Sequence, residues 1–307
     1  MEETKVEISV VICTHNPDPA RIERALSGLR AQTLPTERWD CVVVDNGSDP
    51  SVRGLRLPNL RIVSEPRLGL SWARRRGLAE SSTPLCVFVD DDNVLAPDYL
   101  SKALSIARDY PRMGAFGGRS VGEFETPPSP WHQEFLGLLA VRDLGPVALS
   151  SSKQDSPSAY PMCAPIGAGM VLRREAARAW LEAPPNAIVD RRGSDLTSGG
   201  DNDMVLTAIG AGWDVGYFPD LTLTHLIPAS RLSASYLARL NMAIQRSWVR
   251  VLSAHGIRPW TPIARWTVPA RTLRSWARHR AWRGAVETIR WQGARGLFLG
   301  RSEIPRK

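Results

Sequence analysis

The five apolar residues Leu85-Cys86-Val87-Phe88-Val89 run directly into three consecutive aspartates, Asp90-Asp91-Asp92. An uninterrupted apolar run of this length, bounded by turn residues, predicts a strand buried on both faces of a parallel sheet. Carboxylates at the carboxyl end of such a strand face the crevice where open α/β sheets bind ligands. Three negative charges crowded there repel one another, and a divalent cation would neutralise them. Ligation by oxygen alone favours Mg²⁺ or Mn²⁺ over zinc. A solvated turn, with Asp98 opening the next helix, is the plainer use of the same residues.

The surroundings of the triplet repeat its logic. Residues 8–14 form a first strand ending in His15-Asn16-Pro17. Asp18 is placed to cap a helix with Pro19 at its first position, and Ile22, Ala25, Leu26 and Leu29 share one helical face. Residues 39–44 form a second strand ending in Asp45-Asn46-Gly47-Ser48-Asp49, and residues 60–64 a third. Helices follow at 70–81, carrying Arg74-Arg75-Arg76, and at 97–109. Strands alternating with helices at this spacing predict an α/β fold with a parallel sheet covered on both faces. Parallel strands present their carboxyl ends at one edge, so Thr14 to Asn16, Asp45-Asn46 and Asp90 to Asp92 should converge. After Gly118 the rhythm breaks: residues 123–165 are rich in Pro and Ser around one short apolar helix at 131–139, an insertion of the kind that forms an acceptor wall or a lid. A strand at 166–172, a helix at 174–181, a helix beginning near Asp201 and running to 211, and a hairpin-like pair at 213–218 and 221–225 complete this part. Asp201 follows Gly199-Gly200. It is either a helix cap or a carboxylate held where backbone can approach a ligand closely.

In this order the clusters resemble those of glycosyltransferase family 2, inverting enzymes with the nucleotide-sugar-binding GT-A fold. The resembling segments are Val10-Val11-Ile12-Cys13-Thr14-His15-Asn16, Val42-Val43-Val44-Asp45-Asn46-Gly47-Ser48-Asp49, Gly69-Leu70-Ser71-Trp72-Ala73-Arg74, and Val87-Phe88-Val89-Asp90-Asp91-Asp92 with Pro97-Asp98-Tyr99-Leu100 beyond it. The resemblance covers roughly residues 6–230. It implies a GT-A catalytic domain over 1–230, with a nucleotide-binding half at 6–118 and an acceptor half at 119–230, followed by a helical, basic, Trp-rich extension at 231–307. It further implies that Asp45 accepts hydrogen bonds from the base, with Thr14 and Asn16 in the same pocket. Asp90, Asp91 and Asp92 take the place of the family's D-x-D region, with Asp92 on the metal and Asp90 on the ribose or the metal. Asp201 corresponds to the base aspartate, although the Glu that usually precedes it is Gly200 here and Asp203 is the next acid, so either aspartate can hold the role. Arg74 is the diphosphate contact, with Arg75 and Arg76 as substitutes, and His225 is a further metal ligand or diphosphate contact. The donor is a nucleotide sugar, with UDP the family's usual carrier, and the acceptor a glycan or lipid-linked hydroxyl in surface polysaccharide or glycolipid assembly.

Two other readings use the same residues. Val87 to Leu95 also fits the strand and D-x-D-x-Val of a haloacid-dehalogenase-like phosphohydrolase, with Asp90 as nucleophile; that family places its nucleophile on the first strand, whereas three strands precede this one. The chain could also be a non-catalytic binding protein on a GT-A scaffold.

The net charge of +8 is unevenly spread: residues 231–307 hold 16 basic residues against Glu287 and Glu303, giving +14, and residues 1–230 sum to −6. In the basic part Trp260, Trp266, Trp276, Trp282 and Trp291 are interleaved with arginines. That mixture suits an interfacial helix on anionic lipid, helices that pack Trp inward with Arg outside, or, least favoured, nucleic acid. The four cysteines have no metal-ligand spacing, the opening Met1 to Lys5 has no secretory character, and no apolar stretch reaches the ~18 residues that span a bilayer. A cytoplasmic protein is expected, peripheral on the inner face of the membrane if its tail binds lipid.

Overall fold

The computed structural model describes residues 6–155, 158–183 and 196–305; the opening Met1 to Lys5 lies outside the described residues. The chain forms two compact units. The first comprises Met1–Glu123, Ala140–Pro184 and Met204–Leu226, and the second Phe124–Leu139, Pro185–Asp203 and Ile227–Lys307.

The first unit is built on β1 (Ile8–Thr14), β2 (Trp39–Asp45), β3 (Leu60–Ser64) and β4 (Leu85–Asp90). They lie in the order β3-β2-β1-β4, all parallel. Every residue of β1 is buried, as expected of a strand covered on both faces. Helix α1 (Pro19–Arg30) starts as its sequence signals: the Asp18 carboxylate accepts from the Ala20 and Arg21 N–H groups, both at 3.0 Å, and Ile22, Ala25, Leu26 and Leu29 are buried. Helix α2 (Leu70–Glu80) lies very close to the sheet. A Cβ on Gly77 would stand 2.2 Å from Val11 Cγ1 and 3.3 Å from Val44 Cγ2, so only glycine allows that approach. Strand β5 (Asn93–Leu95) and helix α3 (Tyr99–Asp109) follow, with Tyr99 and Leu100 fully buried in the core.

The strands β6 (Met113–Phe124), β7 (Leu149–Ser151), β8 (Val171–Arg173) and β9 (Asp214–Ile227) extend the sheet in the order β4-β8-β6-β9-β5, with β8 antiparallel to β4 and β6, and β5 and β7 antiparallel to β9. Two expectations fail here. The strand expected at 166–172 shrinks to Val171–Arg173, because Gly169 takes φ +70° in a turn that seats the Tyr99 hydroxyl, which donates to the Gly169 carbonyl at 2.5 Å. The hairpin expected between 213–218 and 221–225 is instead the single strand β9. Pro219 removes only one ladder donor. Gly118 of β6 fits so closely against the Phe218 and Leu221 carbonyls that β9 passes straight through Pro219-Asp220. Helix α4 (Arg174–Glu182) follows β8, and α5 (Gly200–Gly210) precedes β9.

The second unit is helical. The short helix expected at 131–139 is present as a 3₁₀ helix over Pro130–Leu139. Helices α6 (Ala234–Ala254), α7 (Val268–His279) and α8 (Ala285–Glu303) follow. Gly293, Gly296 and Gly300 share one face of α8 and let its backbone nearly touch α6; a Cβ on Gly296 would stand 2.1 Å from the Met242 carbonyl oxygen. Glu303 closes the pair by accepting from Arg246 and Arg250. Among the described residues, no helix is long and apolar enough to cross a membrane. Gly296→Ala is expected to cost about 1–3 kcal/mol through overpacking against backbone that cannot step aside. Gly137→Ala, whose Cβ meets nothing within 4 Å, should change stability little. Urea unfolding of the two variants followed by circular dichroism checks the difference.

Candidate functional site

The parallel register aligns the three strand ends, with Thr14 opposite Asp45 and Cys13 opposite Asp90. Side chains then join them. The Thr14 hydroxyl donates to Asp91 Oδ2 in a short hydrogen bond, and His15 Nδ1 donates to the Asn46 carbonyl at 2.9 Å. Asn16, at φ +50°, donates its N–H to Ser48 Oγ and accepts from the Asp49 N–H, both at 2.9 Å. A non-glycine residue held in the left-handed region is a strained position of the kind that clusters at ligand sites. The three clusters are therefore one polar surface.

Asp45 is buried, and both its oxygens are engaged: Oδ1 accepts from Ser48 N–H and Oδ2 from Val52 N–H, each at 3.0 Å. Burial alone would raise its pKa. Hydrogen bonds from Ser48 and from the Val52 and Ser48 backbone outweigh burial and hold the carboxyl below its usual range. A carboxylate has about four acceptor directions and three are used here, so the group can hold its loop and still receive a ligand donor.

Asn46 is an organiser that the sequence did not single out. Its Nδ2 donates to the Glu65 and Arg67 carbonyls at 2.8 and 2.9 Å, and its Oδ1 accepts from Gly69 N–H at 2.8 Å. One amide thus ties the end of β2 to the N-terminus of α2. Gly69, at φ +136°, is the cap position and offers no side chain there. The only hint of this in the sequence is an Asn in a strand-end cluster and a Gly ahead of a helix.

The three arginines of α2 separate cleanly. Arg75 donates to the Trp180, Leu181 and Ala183 carbonyls and stacks 4.3 Å over Trp180, capping the end of α4. Arg76 pairs with Glu80 on the surface at 2.7 Å. Arg74 is buried beneath the strand ends, 5.6 Å from the Phe88 ring. Burial pushes the Cys13 thiol up to about 12, while the Arg74 charge pulls it down and Asp90 and Asp91 push it further up, so all three charges lie within electrostatic reach of one sulfur. Of the three, Arg74 is the one whose charge is felt at Cys13 together with those of Asp90 and Asp91.

Asp92 is buried and faces His225, its Oδ2 3.4 Å from Nε2, while its Oδ1 accepts from Asn93 Nδ2 at 3.1 Å. The β5–β9 ladder produces this, with Asn93 opposite His225 and the Asp92 carbonyl accepting from Leu226 N–H at 2.8 Å. Among the described residues, no three or more His, Cys, Asp or Glu side chains are grouped so as to hold a metal unaided. A carboxylate still fits a Mg²⁺ or Mn²⁺ that completes its shell with substrate phosphates, the usual manner for such hard ions, and the imidazole beside it suits Mn²⁺ better than Mg²⁺. Asp92 and His225 are the pair that would do so.

In the second unit, Gly199 takes φ +124° and its carbonyl accepts from Asp203 N–H at 2.9 Å, closing the first turn of α5. Asp203 is buried against His255, Oδ1 to Nε2 2.8 Å, a partner fifty-two positions away that no sequence signal announced. Asp201 is half-exposed, its Oδ1 within reach of Asn202 N–H at 2.9 Å.

Against known proteins, residues 9–181 match the family described as glycosyl transferase family 2. The succinoglycan biosynthesis protein ExoM of Rhizobium meliloti (strain 1021) is 25% identical over 274 residues, covering 84% of this chain and 80% of that protein. The validoxylamine A glucosyltransferase of Streptomyces hygroscopicus subsp. limoneus is 34% identical over 106 residues, 32% of this chain and 23% of that one. Among solved structures, S. aureus TarS residues 1–349 superpose with a TM-score of 0.52 at 14% identity, covering 97% of this chain and 91% of that one, and a TarS complex with UDP gives 0.51. The expected α/β GT-A architecture with a helical C-terminal region is the one present.

Asp45→Asn should cost about 1–3 kcal/mol near neutral pH, because one acceptor becomes an amide donor aimed at a backbone N–H. The folded carboxyl lies below its unfolded value, so its contribution is present above about pH 4 and fades as pH falls through the folded pKa. The stability gap between wild type and variant should therefore narrow in acid, as urea unfolding at about pH 7 and about pH 3 would read.

Proposed function

The chain belongs to glycosyltransferase family 2, and from that premise we propose a metal-dependent, inverting transfer of a sugar from a UDP-linked donor to a hydroxyl of a glycan or lipid-linked acceptor, in assembly of a surface polysaccharide. The observation that carries the reading is the joining of Thr14, Asp45 and Asp91 on one polar sheet edge, with the Asp92–His225 pair in the same unit. The resemblance to a succinoglycan biosynthesis protein and to a structure determined with UDP supports the product class and the carrier.

In this reading Asp45, Thr14 and Asn16 hold the nucleoside, with Asp91 beside them. Arg74 supplies positive potential beneath the diphosphate, and Asp90 contacts the ribose. A Mg²⁺ or Mn²⁺ held by Asp92 with His225, or with Asp90, would take up charge on the departing nucleoside diphosphate. Asp201 removes the proton from the acceptor hydroxyl, whose oxygen bonds to the anomeric carbon as the bond to the diphosphate breaks on the opposite face. Asp203, buried against His255, serves to hold the first turn of α5.

Asp201→Asn is expected to lower turnover by about 10²–10⁴-fold while leaving UDP binding intact, measured by product formation and by thermal shift with UDP. Unchanged turnover would remove Asp201 from the role. Asp92→Asn should weaken the apparent Mn²⁺ affinity, raising the Mn²⁺ concentration needed for half-maximal turnover at least about tenfold in the same assay, with little effect on the fold. A screen of nucleotide sugars that stabilises the protein with no donor, with or without Mn²⁺, would count against the whole reading.

A further inference from the structure

Helix α7 presents the wrong face to its neighbours for an ordinary packed helix. Its single buried side chain is Ser275. Pro269, Ala270, Leu273, Trp276 and Ala277 are all exposed, and at helical spacing they fall on one side, opposite Ser275. Leu273 is 66% exposed, Trp266 just before the helix 83%, and Trp282 just after it 57%. Trp276 and Trp282 lie together, ring centroids 4.7 Å apart. An apolar stripe of this kind, directed at solvent by a helix whose small polar side packs inward, marks a surface that is covered by something else.

The charge around the stripe indicates what covers it. There is no Asp or Glu between Asp220 and Glu287. Arg271, Arg274 and Arg278 flank the stripe on one side and, with Trp266, His279 and Phe298, line an open groove of about 760 Å³ beside the helix. Burial lowers the Arg301 pKa and the Arg271 charge lowers it further, as expected where like charges lie close.

We infer that α7 and its flanking turns form an interfacial helix that seats the second unit on an anionic lipid surface, with Leu273, Trp266, Trp276 and Trp282 in the acyl boundary and Arg271, Arg274 and Arg278 on headgroup phosphates. The helix lies in the plane of the surface, as its apolar stripe and lateral arginines require. Tryptophan suits that depth, having an apolar ring and a polar N–H. A two-fold pairing of this face with that of a second copy fits poorly, because it would bring the same arginines against one another with no acid to offset them. A nucleic acid would meet the arginines but leave the central Leu273-Trp276 stripe facing phosphate and water. The inference stands on the surface of the second unit alone and does not depend on the proposed transfer reaction.

The test is co-sedimentation of the full chain with phosphatidylcholine vesicles, with and without roughly 30% phosphatidylglycerol, at low and high salt. Binding to the anionic vesicles that weakens with salt, and is at least about tenfold weaker on phosphatidylcholine alone, is expected. Leu273→Asp, and separately Trp266→Ser, should reduce partitioning about tenfold or more while leaving the unfolding midpoint unchanged, since these side chains are 66% and 83% exposed. Arg274→Glu/Arg278→Glu should abolish the preference for anionic lipid. Absence of vesicle binding, equal binding to both vesicle types, or unaltered binding of Leu273→Asp would each overturn the proposal. So would light scattering showing a dimer that Leu273→Asp dissolves, or binding of a homopolymer RNA without vesicle binding.

Discussion

The parallel register of β1 with β2 and β4 is the constraint on which the rest depends. It brings Thr14 level with Asp45 and Cys13 level with Asp90, so the polar residues that follow each strand must meet above the sheet edge. A slip of one residue in β4 would turn every side chain to the opposite face and separate Thr14 from Asp91. Burial on both faces of β1 stabilises the strands without choosing between neighbouring registers. The close fit of Gly77 against Val11 and Val44 helps to choose, because α2 can lie so near the sheet only where glycine meets those two valines.

On that edge the carboxylates do different work, and hydrogen bonding assigns it. Asp45 spends one acceptor direction of each oxygen on the Ser48 and Val52 N–H groups, which shapes the loop after β2 before any ligand arrives. Asp91 is held by Thr14, and Asp92 is buried beside His225. Asn46 extends the same stitching to Gly69 and hence to α2, the helix that carries Arg74. A site whose loops are already bound by backbone hydrogen bonds loses less conformational entropy when a nucleotide enters. Of the crowded carboxylates, Asp91 and Asp92 have distinct partners, the Thr14 hydroxyl for one and His225 with Asn93 for the other.

Much of this was legible because it is local or periodic. The strand ends at Thr14, Asp45 and Asp90, the Asp18 cap and the buried face of α1 follow from short-range pattern, and the convergence follows from parallel topology. What escaped depends on contacts between distant residues. The division among Arg74, Arg75 and Arg76 needed the end of α4, more than a hundred positions away, to claim Arg75. The pairing of Asp203 with His255 needed the far end of α6. The hairpin expected around Pro219-Asp220 was a sound turn signal overridden by Gly118, whose missing side chain lets β6 lie against an unbroken β9. The glycines of α8 read as weak helix formers, and only the fold reveals that their absent side chains make room for α6.

The basic extension shows most plainly where periodicity stops being informative. Tryptophan and arginine at helical spacing in α7 predict an amphipathic helix, but the period alone cannot say which face turns inward. Ordinary packing would bury Leu273 and leave Ser275 in water, and the chain does the reverse. Part of the reason lies in α8: its glycine face is already taken by α6, and the surface it offers α7 includes Trp291, whose indole N–H donates to the Thr272 carbonyl at 3.1 Å. A polar contact of that kind seats the side of α7 bearing Thr272 and Ser275, leaving its apolar stripe directed outward with arginines beside it. Left in water, that stripe would keep the hydrophobic cost that burial normally removes. A surface that accepts Leu and Trp centrally and attracts Arg at the flank removes the cost and offsets the charge together.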